Sequence, residues 1–243
     1  MPVFRSRARA NLYRNLIIVS TILLLVCEGT LFLQIQRDYS LFQLHFVALF
    51  TPWLFIPFII VFYVKHQIWS AGAEGEENVA EVLNSLKGFE TVNDVVLPGE
   101  KANIDHVAVS TKGVFVIETK NHKGLVRCRG DSWELLKTGR RGTVYSGKSG
   151  NPSKQVKKNA VALRSFLSEK LGIVAYVHGI VCFTNPGARL EVQEPTVTVV
   201  HITNLKSFFQ TLEEQEALSE QEVRRIKAEV EKYSYSRPRE KHV

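Results

Sequence analysis

The apolar residues of this chain fall into two regimes. Residues 16–33 and 41–64 are nearly continuous apolar stretches. Each approaches or exceeds the roughly 20 residues that a helix needs to cross a bilayer. The short segment 34–40 separates them and carries Arg37 and Asp38, so the pattern predicts a helical hairpin. From residue 70 onward the apolar positions become periodic. Val79, Val82, Leu83 and Leu86 have helical spacing and Gly88 follows as a stop, which predicts an amphipathic helix over 76–86. Extended sequence follows at 91–97, 104–110 and 114–120, the last two joined as a hairpin by Thr111-Lys112-Gly113. Short strands are expected around 125–127 and 133–135. Asn151-Pro152 opens a helix to about residue 171; strands at 174–183 and 196–201 and helices at 204–212 and 219–233 come after it. That order predicts an α/β fold with a mixed central sheet flanked by helices, in one domain of residues 70–243.

Charges at the ends of the apolar stretches set an orientation. Arg5, Arg7, Arg9 and Arg14 precede the first and Lys65 follows the second. The excess of cations on the cytoplasmic side predicts that both ends lie there. The expected organisation is a basic N-terminus (1–15), a transmembrane hairpin (16–64) held in the lipid bilayer, and a cytoplasmic C-terminal domain. This is a multi-pass arrangement in a bacterial-type plasma membrane. Pro52 and Pro57 are expected to kink the second helix, and Glu28 to sit near the outer end or face its neighbour. A cleaved signal peptide is the rival reading. Small residues of the A-x-A kind are missing before a plausible cut, and the second stretch would still anchor the product. Cys27, Cys128 and Cys182 lie far apart with no CxxC pair, which argues against a disulfide framework or a cysteine zinc site.

Strand alternation gathers candidate chemistry. Successive side chains point to opposite faces, so Asp105, Val107 and Val109 share one face and Val116, Glu118 and Lys120 share one face. Simple pairing of the hairpin brings Asp105 beside Glu118 and Lys120. Two adjacent carboxylates repel unless a cation sits between them. Hard oxygen ligands suit Mg²⁺ or Mn²⁺, and the Thr119 carbonyl would add another. Lys120 would then stabilise charge on a phosphate or orient a water. The bland alternative is a solvated ion pair. Two residues weigh against it. Glu76 lies on the same helical stripe as Val79 and Leu83, where a carboxylate is costly without a partner, although capping its helix is an ordinary use. Gln155 lies along one side of the long helix with Asn159, Ala162 and Phe166. His106 points away from Asp105 and reads as a structural histidine, while His122 lies just past the strand.

Net charge is +7, unevenly placed. Residues 120–170 hold 13 basic and 3 acidic side chains, whereas residues 65–119 hold 4 basic and 9 acidic. Lys123, Arg127, Arg129, Arg140, Arg141, Lys154 and Lys158 are the candidates for contact with nucleic-acid phosphates, and the Gly-, Ser-, Lys- and Arg-rich segment 139–150 for a strand-tracking loop. Attraction of the same charges to anionic lipid is the alternative.

The blocks Gly75-Glu76-Glu77-Asn78-Val79, Asn93-Asp94-Val95, Leu97-Pro98, Ile104-Asp105-His106-Val107, Gly113-Val114-Phe115-Val116-Ile117-Glu118-Thr119-Lys120-Asn121 and Asn151-Pro152 with Gln155 resemble the NERD (nuclease-related domain) family, in the same order over residues 74–167. The resemblance implies a restriction-endonuclease-like fold of the PD-(D/E)xK superfamily. It implies Asp105 and Glu118 as metal ligands, Lys120 as the catalytic lysine, Glu76 as the first-helix acid and Gln155 as the glutamine of the following helix, so that Glu76, Asp105 and Glu118 are expected to hold the metal together. Ile104 stands where the superfamily name has proline. DNA is the implied partner, and an oligomer is compatible with the sequence. A non-cleaving nucleic-acid-binding or assembly module with the same fold is the second expectation, and a function residing in the anchor the third.

Overall fold

A computed structural model describes residues 4–37, 42–139, 143–147, 150–212 and 218–235. The chain divides into two compact units, residues 5–73 and residues 1–4 with 74–243. The first unit is helical. It comprises α1 (Arg5–Arg37) and most of α2 (Phe42–Asn84). Two segments, Arg5–Gln34 and Leu49–Asn84, are long and apolar enough to cross a membrane. Their large apolar side chains, such as Leu25, Leu33, Trp53 and Leu54, point outward without cover. At one end of this unit the Arg9 guanidinium lies 4.4 Å from the centroid of the Trp69 ring, and His66 Nδ1 approaches the Ala10 carbonyl at 3.0 Å. The predicted connection 34–40 lies partly outside the described residues.

The separate helix expected over 76–86 is instead the end of α2, which runs unbroken through residues 70–75. Glycine costs a helix only about 1 kcal/mol and neighbours outweigh it, so Gly72 and Gly75 do not end α2. Gly75 is small for a reason. A Cβ at this position would stand 2.6 Å from Thr184 Oγ1 and 3.3 Å from the Asn121 Cβ, whereas one at Gly72 would meet nothing within 4 Å. Gly75→Ala is therefore expected to lower the melting temperature, by about 1–3 kcal/mol of overpacking, despite alanine's better helix propensity. Gly72→Ala should not lower it, and thermal melts of the two variants check the contrast.

The second unit contains two mixed sheets. The larger takes β1 (Glu90–Val95), β2 (Ile104–Ser110), β3 (Gly113–Lys120), β7 (Val177–Phe183) and β9 (Thr198–His201) in the order β1-β2-β3-β7-β9. Its first three strands are antiparallel, and β7 and β9 continue parallel to β3. The smaller sheet, β6-β5-β4-β8, is built from β4 (Gly124–Arg129), β5 (Ser132–Thr138), β6 (Val144–Gly147) and β8 (Ala188–Gln193). A single central sheet was expected. Neither β6 nor β8 was expected: β6 has only four, mostly exposed residues, and β8, although apolar and polar residues alternate from Ala188 to Gln193, is short and mostly exposed. The segment expected as a loop over 139–150 thus contains a strand.

Helices α3 (Pro152–Leu171), α4 (Ile202–Thr211) and α5 (Glu220–Glu231) flank the larger sheet. One core cluster joins Val107, Val114 and Val116 to Val156, Leu163 and Leu167 of α3 and Ile226 of α5. The other joins Phe115, Ile117 and Ile180 to Val79 and Leu83 of α2 and Leu205 and Phe209 of α4. Odd and even residues of β2 and β3 thus divide between opposite faces, as strand geometry requires. The N-terminus of α3 is capped by Asn151, whose side chain accepts from the Lys154 amide, with Pro152 next to it. Trp133 of β5 donates to Ser153 Oγ at 2.8 Å, which ties the smaller sheet to that end of α3.

Candidate active site

The registers of the larger sheet set the site. In β2 and β3, His106 pairs with Ile117 and Val107 with Val116; one more step places Asp105 opposite Glu118. Asp105 and Glu118 are buried, 8% and 2% exposed. Asp105 Oδ2 accepts the Thr119 amide at 2.8 Å. Lys120 Nζ donates to Glu118 Oε1 at 2.5 Å and to Gln155 Oε1 at 3.1 Å. The expected quartet of Asp105, Glu118, Lys120 and Gln155 is therefore brought together, by two adjacent strands and the first turn of α3.

Electrostatics at the pair disfavour two charges. Burial, then the Glu118 charge, raises Asp105 well above the ordinary carboxylate value, against the Thr119 amide and Lys120. Burial also raises Glu118, with Lys120 opposing it and Glu76 adding to it. Glu118 Oε2 is buried with no hydrogen-bond partner. An orphaned oxygen beside a second carboxylate fits a hard cation. Thr119 contributes to the fit. Its amide points toward Asp105, and in a strand the carbonyl of the same residue points to the same side.

Glu76 does not complete a three-acid cluster. Among the described residues, no group of three or more His, Cys, Asp and Glu side chains could hold a metal ion. The physical reason lies in the layers. Val79 and Leu83 of α2 pack on the face opposite to α3, whereas Asp105 and Glu118 share the α3 face. Glu76 acts on Glu118 through its charge.

His106 is fully buried, with Nδ1 2.7 Å from Asn93 Oδ1 and Nε2 3.1 Å from Thr119 Oγ1. Burial lowers its pKa to about 3, so it is neutral in the folded protein. Unfolding lets it take up a proton below pH 6.5. The His106 contribution to stability should therefore fall as pH drops from 6.5 toward 3, by up to ~1.4 kcal/mol per unit, and its loss in His106→Gln should be read from the difference between the pH-dependent melts of variant and wild type. His122 is half-buried, with its pKa lowered by burial and by the charges of Lys120 and Lys137.

The basic candidates divide. Lys123, Arg129 and Lys154 are exposed. Arg127 pairs with Glu191 at 2.6 Å and Lys158 with Glu100 at 2.8 Å, which occupies part of their charge. Arg140 and Arg141 lie outside the described residues.

Sequence pattern gave no site role to Asp94, although it lies in the Asn93-Asp94-Val95 block, or to Asn103. Asn93 pairs with His106 and Val95 with Ile104, so Asp94 stands opposite Asp105 on β1. Asp94, Asp105 and Glu118 thus form one row across three strands. Asn103 Nδ2 donates to Asp94 Oδ1 at 3.1 Å and reaches Asp105 Oδ1 at 3.4 Å.

No solved structure matches the chain significantly. An uncharacterized protein of Bacillus anthracis is 34% identical over 67 residues, covering 26% of this chain and 32% of that protein. The match thus spans about a third of that relative's length. Residues 71–184, the stretch that contains the buried acid pair, its lysine and its glutamine, match the nuclease-related domain (NERD) family, which belongs to the PD-(D/E)xK-like nuclease superfamily.

Proposed function

We propose that this chain is a membrane-anchored, Mg²⁺-dependent nuclease that hydrolyses phosphodiester bonds in DNA. The observation that carries the reading is the buried Asp105–Glu118 pair with an orphaned oxygen and a lysine held at its rim. Asp105, Glu118 and the Thr119 carbonyl would hold the ion, Mg²⁺ or Mn²⁺. When bound, that ion supplies a lowered water pKa and polarisation of the phosphoryl group.

The side chains divide the remaining work. Lys120, partly exposed, presents an ammonium to the phosphate and stabilises the charge that develops on it. Gln155 accepts from Lys120 and fixes its direction. Glu76 adds negative charge near Glu118 and so favours a cation there. Lys123, Arg129 and Lys154 would bind the backbone without sequence preference. Residues 16–64 would hold the domain at a bilayer; the uncovered apolar side chains of α1 and α2 support this. The flanking arginines favour a cytoplasmic domain.

The test uses the full chain in detergent micelles with single-stranded DNA, double-stranded DNA and RNA, with and without Mg²⁺. Mg²⁺-dependent DNA cleavage that falls ~10²–10³-fold in Lys120→Ala is the expected result. DNA binding with no cleavage by the wild-type chain, unchanged in Glu118→Ala, would instead mark a non-cleaving module.

A further inference from the structure

We propose that Asp94 and Asn103 are positioning residues for Asp105, a relay from strand β1 that fixes the direction in which the Asp105 carboxylate faces the cation. The inference rests on the nuclease reading of the Asp105–Glu118 pair.

Three observations carry it. Asp94 is 1% exposed and directly across the sheet from Asp105. Like charges facing each other across a sheet are destabilising, so an acid here needs a bridging donor. The Asn103 amide is that donor, since the same Nδ2 reaches an oxygen of each acid. The two oxygens of Asp105 are then held from opposite sides, Oδ2 by the Thr119 amide and Oδ1 by Asn103. The carboxylate cannot rotate without breaking one of these contacts.

The second observation is conformational. Asp94 has φ +51°, an uncommon value for a residue other than glycine. Such a conformation persists only where its surroundings hold it. The Tyr235 amide donates to the Asp94 carbonyl at 3.0 Å, and Ser234 Oγ donates to the Asn93 carbonyl at 2.6 Å. Residues 234–235 thereby clamp the backbone that aims the Asp94 side chain.

The third is a parallel path from the neighbouring residue. Asn93 meets His106, and His106 meets Thr119 Oγ1. Two adjacent residues of β1 thus reach both partners of the Thr119–Asp105 hydrogen bond. Asn159 of α3, whose side chain donates to the Asn103 carbonyl at 3.4 Å, braces the bridging residue from the other side.

The test measures Mn²⁺ binding by electron paramagnetic resonance on the full chain in micelles without nucleic acid, beside kcat and KM for DNA cleavage and a thermal melt. Asn103→Ala and Asp94→Ala should weaken Mn²⁺ binding ~10–100-fold and lower kcat, while KM for DNA stays near the wild-type value. Asp94→Asn keeps an oxygen facing Asn103 and should restore most of the Mn²⁺ affinity lost in Asp94→Ala. Leu163→Ala, a core variant remote in role, supplies the control for loss of stability alone. Wild-type Mn²⁺ affinity and kcat in Asn103→Ala would overturn the proposal while leaving the nuclease reading intact. So would losses no greater than those of a Leu163→Ala variant of equal melting temperature. A wild-type chain that binds no Mn²⁺ would overturn the nuclease reading and this proposal with it.

Discussion

Glu118→Gln is expected to abolish cleavage and, in the metal-free protein, to raise the melting temperature. The two effects have one origin. Glu118 is almost fully buried, faces Asp105, and leaves Oε2 without a partner. Replacing that oxygen with an amide removes a charge that burial disfavours at Glu118 and that, after burial, raises Asp105. An unsatisfied buried charge costs more than an unsatisfied neutral amide, by roughly 1–3 kcal/mol. Weakening of the Lys120 ion pair works against this. Lys120 is 22% exposed at its side chain, so water screens part of that pair, and a glutamine oxygen still accepts from its ammonium. Burial at Glu118 should win, with a rise of about 2–10 °C for a domain of this size. Cleavage should fall by ~10²–10³ or more, because a neutral amide is a poor ligand for a hard cation. Melting of metal-free wild type and variant, beside a cleavage assay, checks both halves; a destabilised variant would mean that the Lys120 pair dominates.

The second large effect is a stabilisation by divalent ions that grows with pH. Asp105 and Glu118 have folded-state pKa values above the ordinary 3.8 and 4.5. Once the pH exceeds those unfolded values, the folded state binds more protons than the unfolded one. The contribution of this pair to metal-free stability therefore falls as pH rises from about 4 through the raised values, opposite in sign to that of His106. A bound cation relieves the same charges, but at low pH it must first displace the protons. Saturation at 100 times Kd should stabilise by ~2.7 kcal/mol, with up to ~1.4 kcal/mol less per pH unit for each proton displaced. The shift with Mn²⁺ should thus be larger at pH 8 than at pH 5. His106 titrates in both metal-bound and metal-free protein, so it cancels in the difference. An equal shift at both pH values would count against the acid pair as the binding site.

Much of this site was legible in residue order because a two-residue period and a short turn decide it. Once Thr111-Lys112-Gly113 closes the hairpin, Asp105 and Glu118 have little freedom to miss each other. The rest depended on information that a local pattern does not hold. Asp94 is placed by its register with β2 across the connection at 96–103, where the Pro98-Gly99 turn reverses the chain without fixing which residues of the two strands pair. Glu76 shares a helical stripe with Val79 and Leu83, but which face of the sheet that stripe covers is a tertiary fact. β8 carries Arg189, Glu191 and Gln193 on an exposed strand and is recruited by pairing with β4. Arg127 and Lys158 read as free cations until the fold supplied Glu191 and Glu100.

The clip formed by Ser234 and Asn93 spans 141 residues of sequence. A nascent chain leaving the ribosome would expose the hairpin with Asp105 and Glu118 long before the residues that lock β1 have been made. Contacts of such long range form slowly. On the proposed nuclease reading, a site that matures only when synthesis has passed residue 235 would leave nucleic acid near its own translation site untouched until then.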